Sequence, residues 1–209
     1  MGLIVDMIFP RQCVGCKKFG KYICDNCANS LSVIGSDYKN KQIEGKISLF
    51  KYDGAIKDII GLIKFEFVYN ATFEIGNLMT NNLLKYYPNI VSYWQENKFT
   101  IISVPLHWKR KNWRGFNQAE LIGKTLANNL KLSINNNLIK RSINTKKQST
   151  SNKIERLKNV RGAFRVIENL PKNIILVDDV WTTGETIKNI VKIIPKNSKI
   201  WVLTLASGR

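Results

Sequence analysis

Four cysteines, a pair of adjacent aspartates and a Thr-Thr-Gly turn are the residues best suited to chemistry in this chain. The cysteines stand as Cys13-Val-Gly-Cys16 and Cys24-Asp-Asn-Cys27, seven residues apart. Two Cys-x-x-Cys pairs suit a tetrahedral Zn²⁺ held by four thiolates, because each pair spans one edge of the tetrahedron. Four protein ligands leave no open position, so such a zinc is structural. Lys17, Lys18, Lys21 and Arg11 would offset its negative charge. The alternative is two disulfides or free thiols, and disulfides fit poorly with a reducing compartment.

The second constellation is Ile174-Ile175-Leu176-Val177-Asp178-Asp179-Val180-Trp181-Thr182-Thr183-Gly184-Glu185-Thr186. Four apolar residues predict a buried strand, and the two acids then mark its end. The turn predicts passage into a helix. Ligands of open α/β sheets bind at such strand ends. Backbone N–H groups after the turn, with the hydroxyls of Thr182, Thr183 and Thr186, can cradle a phosphate. Gly184 permits close approach. Asp178 and Asp179 can accept hydrogen bonds from ribose hydroxyls, so a sugar 5-phosphate satisfies both halves. The plainer alternative is a strand capped by Asp-Asp and followed by an ordinary turn.

Periodicity supplies the elements that must position these groups. Residues 47–52 read as a strand closed by Asp53-Gly54, and Ile56, Ile59, Ile60 and Ile63 recur on one helical face. A second helix is predicted over 71–86, ending before Pro88. Strands follow at 99–104, 138–140, 163–167, 174–177 and 200–205. Helical faces lie between them at Ala119, Ile122, Leu126 and Leu130, and at Ile187, Ile190, Val191 and Ile194. This alternation predicts an α/β domain with a mostly parallel sheet. Of the five tryptophans, Trp201 is expected in the core.

Composition bounds the rest. The chain has 209 residues, 44% hydrophobic and 23% charged, as a folded globular protein requires. No run approaches the roughly 20 apolar residues of a membrane span. The start, MGLIVDMIFP, lacks a basic region and a small-residue cleavage site, which predicts a cytoplasmic protein. An AT-rich coding sequence inflates lysine, but the net +18 is not spread evenly. Residues 107–165 hold fifteen Lys and Arg against Glu120 and Glu155, hence +13. That concentration points to an anionic partner, either a phosphate ligand or a nucleic acid. Trp108 and Trp113, interleaved with Lys109, Arg110, Lys111 and Arg114, suit stacking on single-stranded bases, although both rings could equally pack beneath a loop.

With these residues in hand the chain resembles the ComF/ComFC competence-protein family nearly end to end. The shared pieces are the cysteine knuckles, Tyr52-Asp53-Gly54, Ile63-Lys64-Phe65, Val104-Pro105-Leu106, Arg114-Gly115-Phe116-Asn117-Gln118-Ala119, Gln148, Arg156, residues 159–164 and the Asp178-Asp179 segment. The last is similar to the 5-phosphoribosyl-1-pyrophosphate (PRPP) motif of type I phosphoribosyltransferases. The resemblance implies a Rossmann-like sheet with a PRPP site at Asp178, Asp179, Thr182, Thr183, Gly184 and Thr186, and Mg²⁺ bound with PRPP. It implies a zinc appendage over residues 1–45 and a phosphoribosyltransferase-like domain over 46–209, with hood elements partly in 46–98. His107, Lys109 and Arg114 would lie near the pyrophosphate, and Lys146, Lys147 and Arg156 on a mobile loop. Trp108, Lys109, Arg110, Lys111, Trp113 and Arg114 would face single-stranded DNA. The implied role is DNA uptake in natural transformation, with other competence proteins as possible partners. Two alternatives stay open: a working transferase of nucleotide metabolism with an unknown acceptor, and a binding module without turnover. Glu185 departs from the pattern, since a small residue is usual there and a carboxylate turned inward would repel phosphate.

Overall fold

The computed structural model describes residues 11–35, 42–142 and 163–208. Five strands form one parallel sheet: β1 (Ile43–Lys51), β2 (Thr100–Ser103), β3 (Ser133–Ile134), β6 (Asn173–Trp181) and β7 (Lys199–Ser207), in the order β1-β7-β6-β2-β3. The expected α/β class with a mostly parallel sheet is what the chain adopts. A separate antiparallel ribbon joins β4 (Ile139–Arg141) to β5 (Phe164–Val166).

Helices cover both faces of the sheet. On one side lie α2 (Gly54–Phe65), α3 (Ala71–Tyr86), α4 (Pro88–Glu96) and α6 (Gln118–Leu130), packed on Ile47, Leu49, Ile101, Ile175, Val177 and Leu203. On the other lie α7 (Glu185–Val191) and the β4–β5 ribbon, packed on Ile102, Ile174, Leu176 and Val202. Through Val177, odd and even positions of β6 thus enter different cores, as strand pleating requires. Past the aspartates the parity switches, with Val180 against the first core and Trp181 in the second. A short helix, α1 (Asp25–Asn29), lies in the N-terminal segment, and α5 (Trp108–Arg114) follows β2. Among the described residues no helix is long and apolar enough to cross a membrane.

Three departures from the sequence expectation have physical causes. β6 does not stop at Val177, because the ladder to β7 continues through Asp178↔Thr204, Val180↔Ala206 and Trp181↔Ser207. The two acids therefore sit within a strand, not beyond it. Pro88 ends α3 as predicted but also opens α4 at its first position, where a missing N–H costs nothing. The third is one of degree: Trp201 packs against the core as expected, but Trp94 is the tryptophan with no exposed surface. Trp201 keeps partial exposure and donates from Nε1 to Glu44 at 3.0 Å, with the two rings 5.5 Å apart, edge to face.

Trp94 anchors α4 to this core, so Trp94→Ala is expected to lower unfolding stability by about 4 kcal/mol. Trp108→Ala, at an exposed ring, should stay within about 0.5 kcal/mol of the parent. Urea denaturation of both variants measures the contrast.

Candidate functional site

The site is organised around one buried carboxylate. Strand alternation sends Asp179 to the helix-covered face, where only 6% of its surface is exposed. Its Oδ2 accepts from the Lys64 ammonium at 2.7 Å and from Gln118 Nε2 at 3.2 Å. Arg114 in turn donates to Gln118 Oε1. The chain Arg114–Gln118–Asp179–Lys64 thus joins α5, α6, β6 and α2 in a buried relay. Burial works against the Arg114 charge, and Asp179 supports it. Asn117 completes the junction: its Oδ1 accepts from Ala119 N at 3.2 Å and caps α6, while its Nδ2 donates to the Val104 carbonyl at 3.1 Å.

Asp178 points to the opposite face and is only partly buried. Its Oδ1 accepts from the Asp179 backbone N–H at 2.9 Å. Burial first, and then the charge of Asp179, push this carboxyl well above the usual range, to about 8. The two aspartates therefore do not present a symmetric pair to a ligand, because Asp179 is already engaged.

Beyond Trp181 the chain turns through Thr182 and Thr183, both exposed, into Gly184 at φ +73°. A Cβ there would run into the Trp181 ring, whose Cε2 lies 2.8 Å away. Glycine is thus needed for backbone conformation and for close approach alike. Thr183 Oγ1 accepts from Glu185 N at 3.4 Å. Glu185 pairs with Lys188 at 3.3 Å, so its carboxylate is matched by a cation on its own helix.

The segment after β2 is fixed by Val104 N donating to Val177 O at 2.8 Å. His107 is buried and accepts from Lys109 N through Nδ1 at 3.3 Å, capping α5. Burial, followed by Arg141, Lys109 and Arg110, lowers its pKa, so the ring is neutral at pH 7. Trp108 and Trp113, five residues apart on α5, point about 140° apart. Trp108 lines a cleft of about 520 Å³ with Pro105, Leu106, Asn117, Arg141 and Arg165. Trp113 instead meets Phe67 from the α2–α3 loop, ring centroids 4.9 Å apart. Lys109 and Lys111 are exposed, and Lys111 pairs with Glu120 at 3.4 Å. Lys146, Lys147, Gln148 and Arg156 lie outside the described residues.

The sulfurs of Cys13, Cys16, Cys24 and Cys27 all lie within 4.8 Å of one another. Zn–S bonds of about 2.3 Å in a tetrahedron place sulfurs about 3.8 Å apart, so the cluster fits that ion. Burial raises the Cys13 thiol, but N–H groups of Cys24, Cys16 and Gly15 outweigh it and bring it down to about 6. Gly15 is required because a Cβ there would come 2.9 Å from the Cys27 sulfur. Glu74 on α3 accepts from Tyr22 N at 2.8 Å and Ile23 N at 3.1 Å, fastening the knuckle to the body.

Sequence reading named Lys64 and Gln118 only as parts of family motifs, not as site residues. A signal was present. Lys64 follows Ile56 and Ile60 at four-residue spacing, and Gln118 precedes Ile122 and Leu126 in the same way. Each polar side chain therefore continues the apolar face of its helix. Lys64→Met is expected to cost about 3 kcal/mol, because it leaves Asp179 buried and unpaired. Lys64→Met combined with Asp179→Asn should recover at least half of that loss, which a double-mutant cycle by chemical denaturation reads directly.

No family model matches the chain. It is similar to the DNA utilization protein YhgH of Escherichia coli O157:H7, with 36% identity over 111 residues, 49% of this chain and 48% of that protein. Competence protein F of Haemophilus influenzae is 35% identical over 114 residues, covering 51% and 50%. Competence protein ComFC of Bacillus subtilis is 30% identical over 142 residues, covering 67% of this chain and 53% of that protein. The chain spans about half the length of the curated relatives it matches. The resemblance carried by the motifs and the similarity to these proteins agree: the chain is a homologue of the competence protein F, ComFC and YhgH proteins.

Proposed function

We propose that this chain binds PRPP or a related sugar phosphate at the β6–α7 turn, and that it serves DNA uptake by handling single-stranded DNA in the cytoplasm. The observation that carries the reading is the relay Lys64–Asp179–Gln118–Arg114. Three separate segments converge on the strand that leads into the Thr182-Thr183-Gly184 turn. Helices gain little for their own packing by holding a lysine, a glutamine and an arginine around one buried carboxylate. Such a relay serves to hold a strand end in one geometry.

In this reading Thr182, Thr183 and Thr186 hold the 5-phosphate, Gly184 admits it close to the backbone, and Asp178 takes the ribose hydroxyls. Asp179 orients the strand end from behind. Mg²⁺ would arrive with the pyrophosphate and neutralise it. Its charge would favour loss of the proton that burial leaves on Asp178, whose ionised oxygens suit this hard ion. The exposed cations of α5, Lys109 and Lys111, with Arg110 beside them, suit DNA phosphates. The names of the relatives, competence protein and DNA utilization protein, support the assignment to DNA uptake. On the same reading the chain divides into a zinc appendage within 1–45 and a phosphoribosyltransferase-like domain over 46–209, with hood elements partly in 46–98. The first residues of β1, from Ile43, are paired into the sheet. A zinc held there would be structural, because all four thiols would be its ligands and no position would stay open.

Two measurements test this reading. Calorimetry with Mg-PRPP should show Asp178→Asn and Thr183→Val each weakening binding about tenfold or more, with circular dichroism unchanged. Affinity of Asp178→Asn equal to that of the parent would remove the sugar-phosphate assignment. Metal analysis of the undenatured protein should find about one zinc per chain, and Cys24→Ser should lose both the zinc and thermal stability. Protein that folds without zinc refutes the structural metal.

A further inference from the structure

The α2–α3 loop and its neighbours expose more aromatic surface than a folded chain leaves without a partner. Phe65 is 65% exposed, Phe67 40%, Tyr69 51%, Phe73 43% and Trp113 60%. Single exposed rings are ordinary, but four of these five fall in two ring clusters joined through the Phe67–Val68–Tyr69 backbone. Phe67 meets Trp113 at 4.9 Å, Tyr69 meets Phe73 at 6.1 Å, and Tyr69 meets Phe116 at 6.4 Å, all edge to face. An edge-to-face contact covers one face of only one of its two rings, and the exposure of each ring leaves surface for a ligand. The row is held by its backbone. Phe67 sits at φ +59°, a conformation uncommon for a bulky residue. Val68 N donates to Leu62 O at 3.3 Å and Tyr69 N to Phe67 O at 2.8 Å.

Charge identifies what lies on this row. Helix α5, which supplies Trp113, carries no acid, and its Lys109 and Lys111 are exposed with Arg110 between them. Arg114 is held in the buried relay, and Lys111 also pairs with Glu120. On the other side Glu66 is the single acid of the 66–70 loop, and Lys64 is committed to Asp179. Open ring faces flanked by cations match a polyanion whose repeating unit has a flat aromatic face. We infer that Phe67, Tyr69, Phe73 and Trp113 form a base-stacking surface for single-stranded nucleic acid, with the phosphates following α5. A duplex keeps its base faces stacked inside, so it cannot use this row. Trp108 belongs to the separate cleft and takes no part. The inference rests on the DNA-handling role proposed above and assigns it a surface.

The test is fluorescence anisotropy of the full chain with two labelled probes at low salt. One is a single-stranded oligonucleotide of about 20 nucleotides, and the other has the same phosphates but abasic sugars. The parent should prefer the base-bearing strand by on the order of tenfold or more. Phe67→Ala combined with Tyr69→Ala should abolish that preference while keeping the salt dependence. Phe67→Trp should restore it, which excludes a folding defect, and thermal melts confirm that each variant is folded. Lys109→Glu with Lys111→Glu should weaken both probes and flatten the salt dependence. If the aromatic variant binds the base-bearing strand as the parent does while the charge variant loses it, DNA handling stands and the stacking surface is wrong. The rings then belong to a protein partner. If the parent binds neither probe, the DNA role itself fails, and the inference with it.

Discussion

The ion pair between Asp179 and Lys64 is the constraint on which the rest of the arrangement depends. A carboxylate at 6% exposure within a parallel strand cannot stay charged without partners, and removing one of them costs several kcal/mol. Satisfying it requires α2 to bring Lys64 to the strand and α6 to bring Gln118. Gln118 then fixes Arg114, and Arg114 fixes the end of α5. Once those elements are placed, Asn117 reaches the Val104 carbonyl and holds the segment after β2. The fold around the strand ends is thus specified by polar satisfaction as much as by the apolar core beneath it.

Much of this was legible in the sequence, for reasons that can be named. The bounds of α3 were readable because an amphipathic pattern runs unbroken from Ala71 until Pro88 closes it. The parallel sheet was readable because apolar runs such as residues 174–177 alternate with helical faces, and the cysteine cluster because ligand spacing is local. What was not legible depends on tertiary pairing. The extension of β6 through Asp178 and Asp179 comes from the ladder to β7, which local propensity does not contain. Helix α4 is hidden because Pro88 signals the end of one helix and serves equally well as the first residue of the next. The different environments of Asp178 and Asp179 follow from pleating, once the strand is known to continue past Val177. The aromatic row was invisible because its members come from α2, α3, α5 and the loops between them.

The arrangement also separates two demands. The proposed small-ligand site lies at the turn after β6, where Gly184 packs on Trp181 and leaves the threonine hydroxyls in solvent. The broad surface of rings and cations lies across α5 and the α2–α3 loop. Arg114 and Gln118 stand between them, since Arg114 ends the helix that carries Trp113 and Gln118 touches Asp179. A change at one region therefore has a short covalent and hydrogen-bonded path to the other. The four-cysteine segment is fastened through Glu74 on α3, the helix that also carries Phe73.

Calorimetry of Mg-PRPP binding to Gln118→Ala tests the central claim most directly, because Gln118 is assigned to hold Asp179 and not to touch the ligand. The account predicts affinity lower by about tenfold, as loss of a hydrogen bond to a buried charge implies, in a protein with unchanged circular dichroism and zinc content. Binding by Gln118→Ala equal to that of the parent would contradict it.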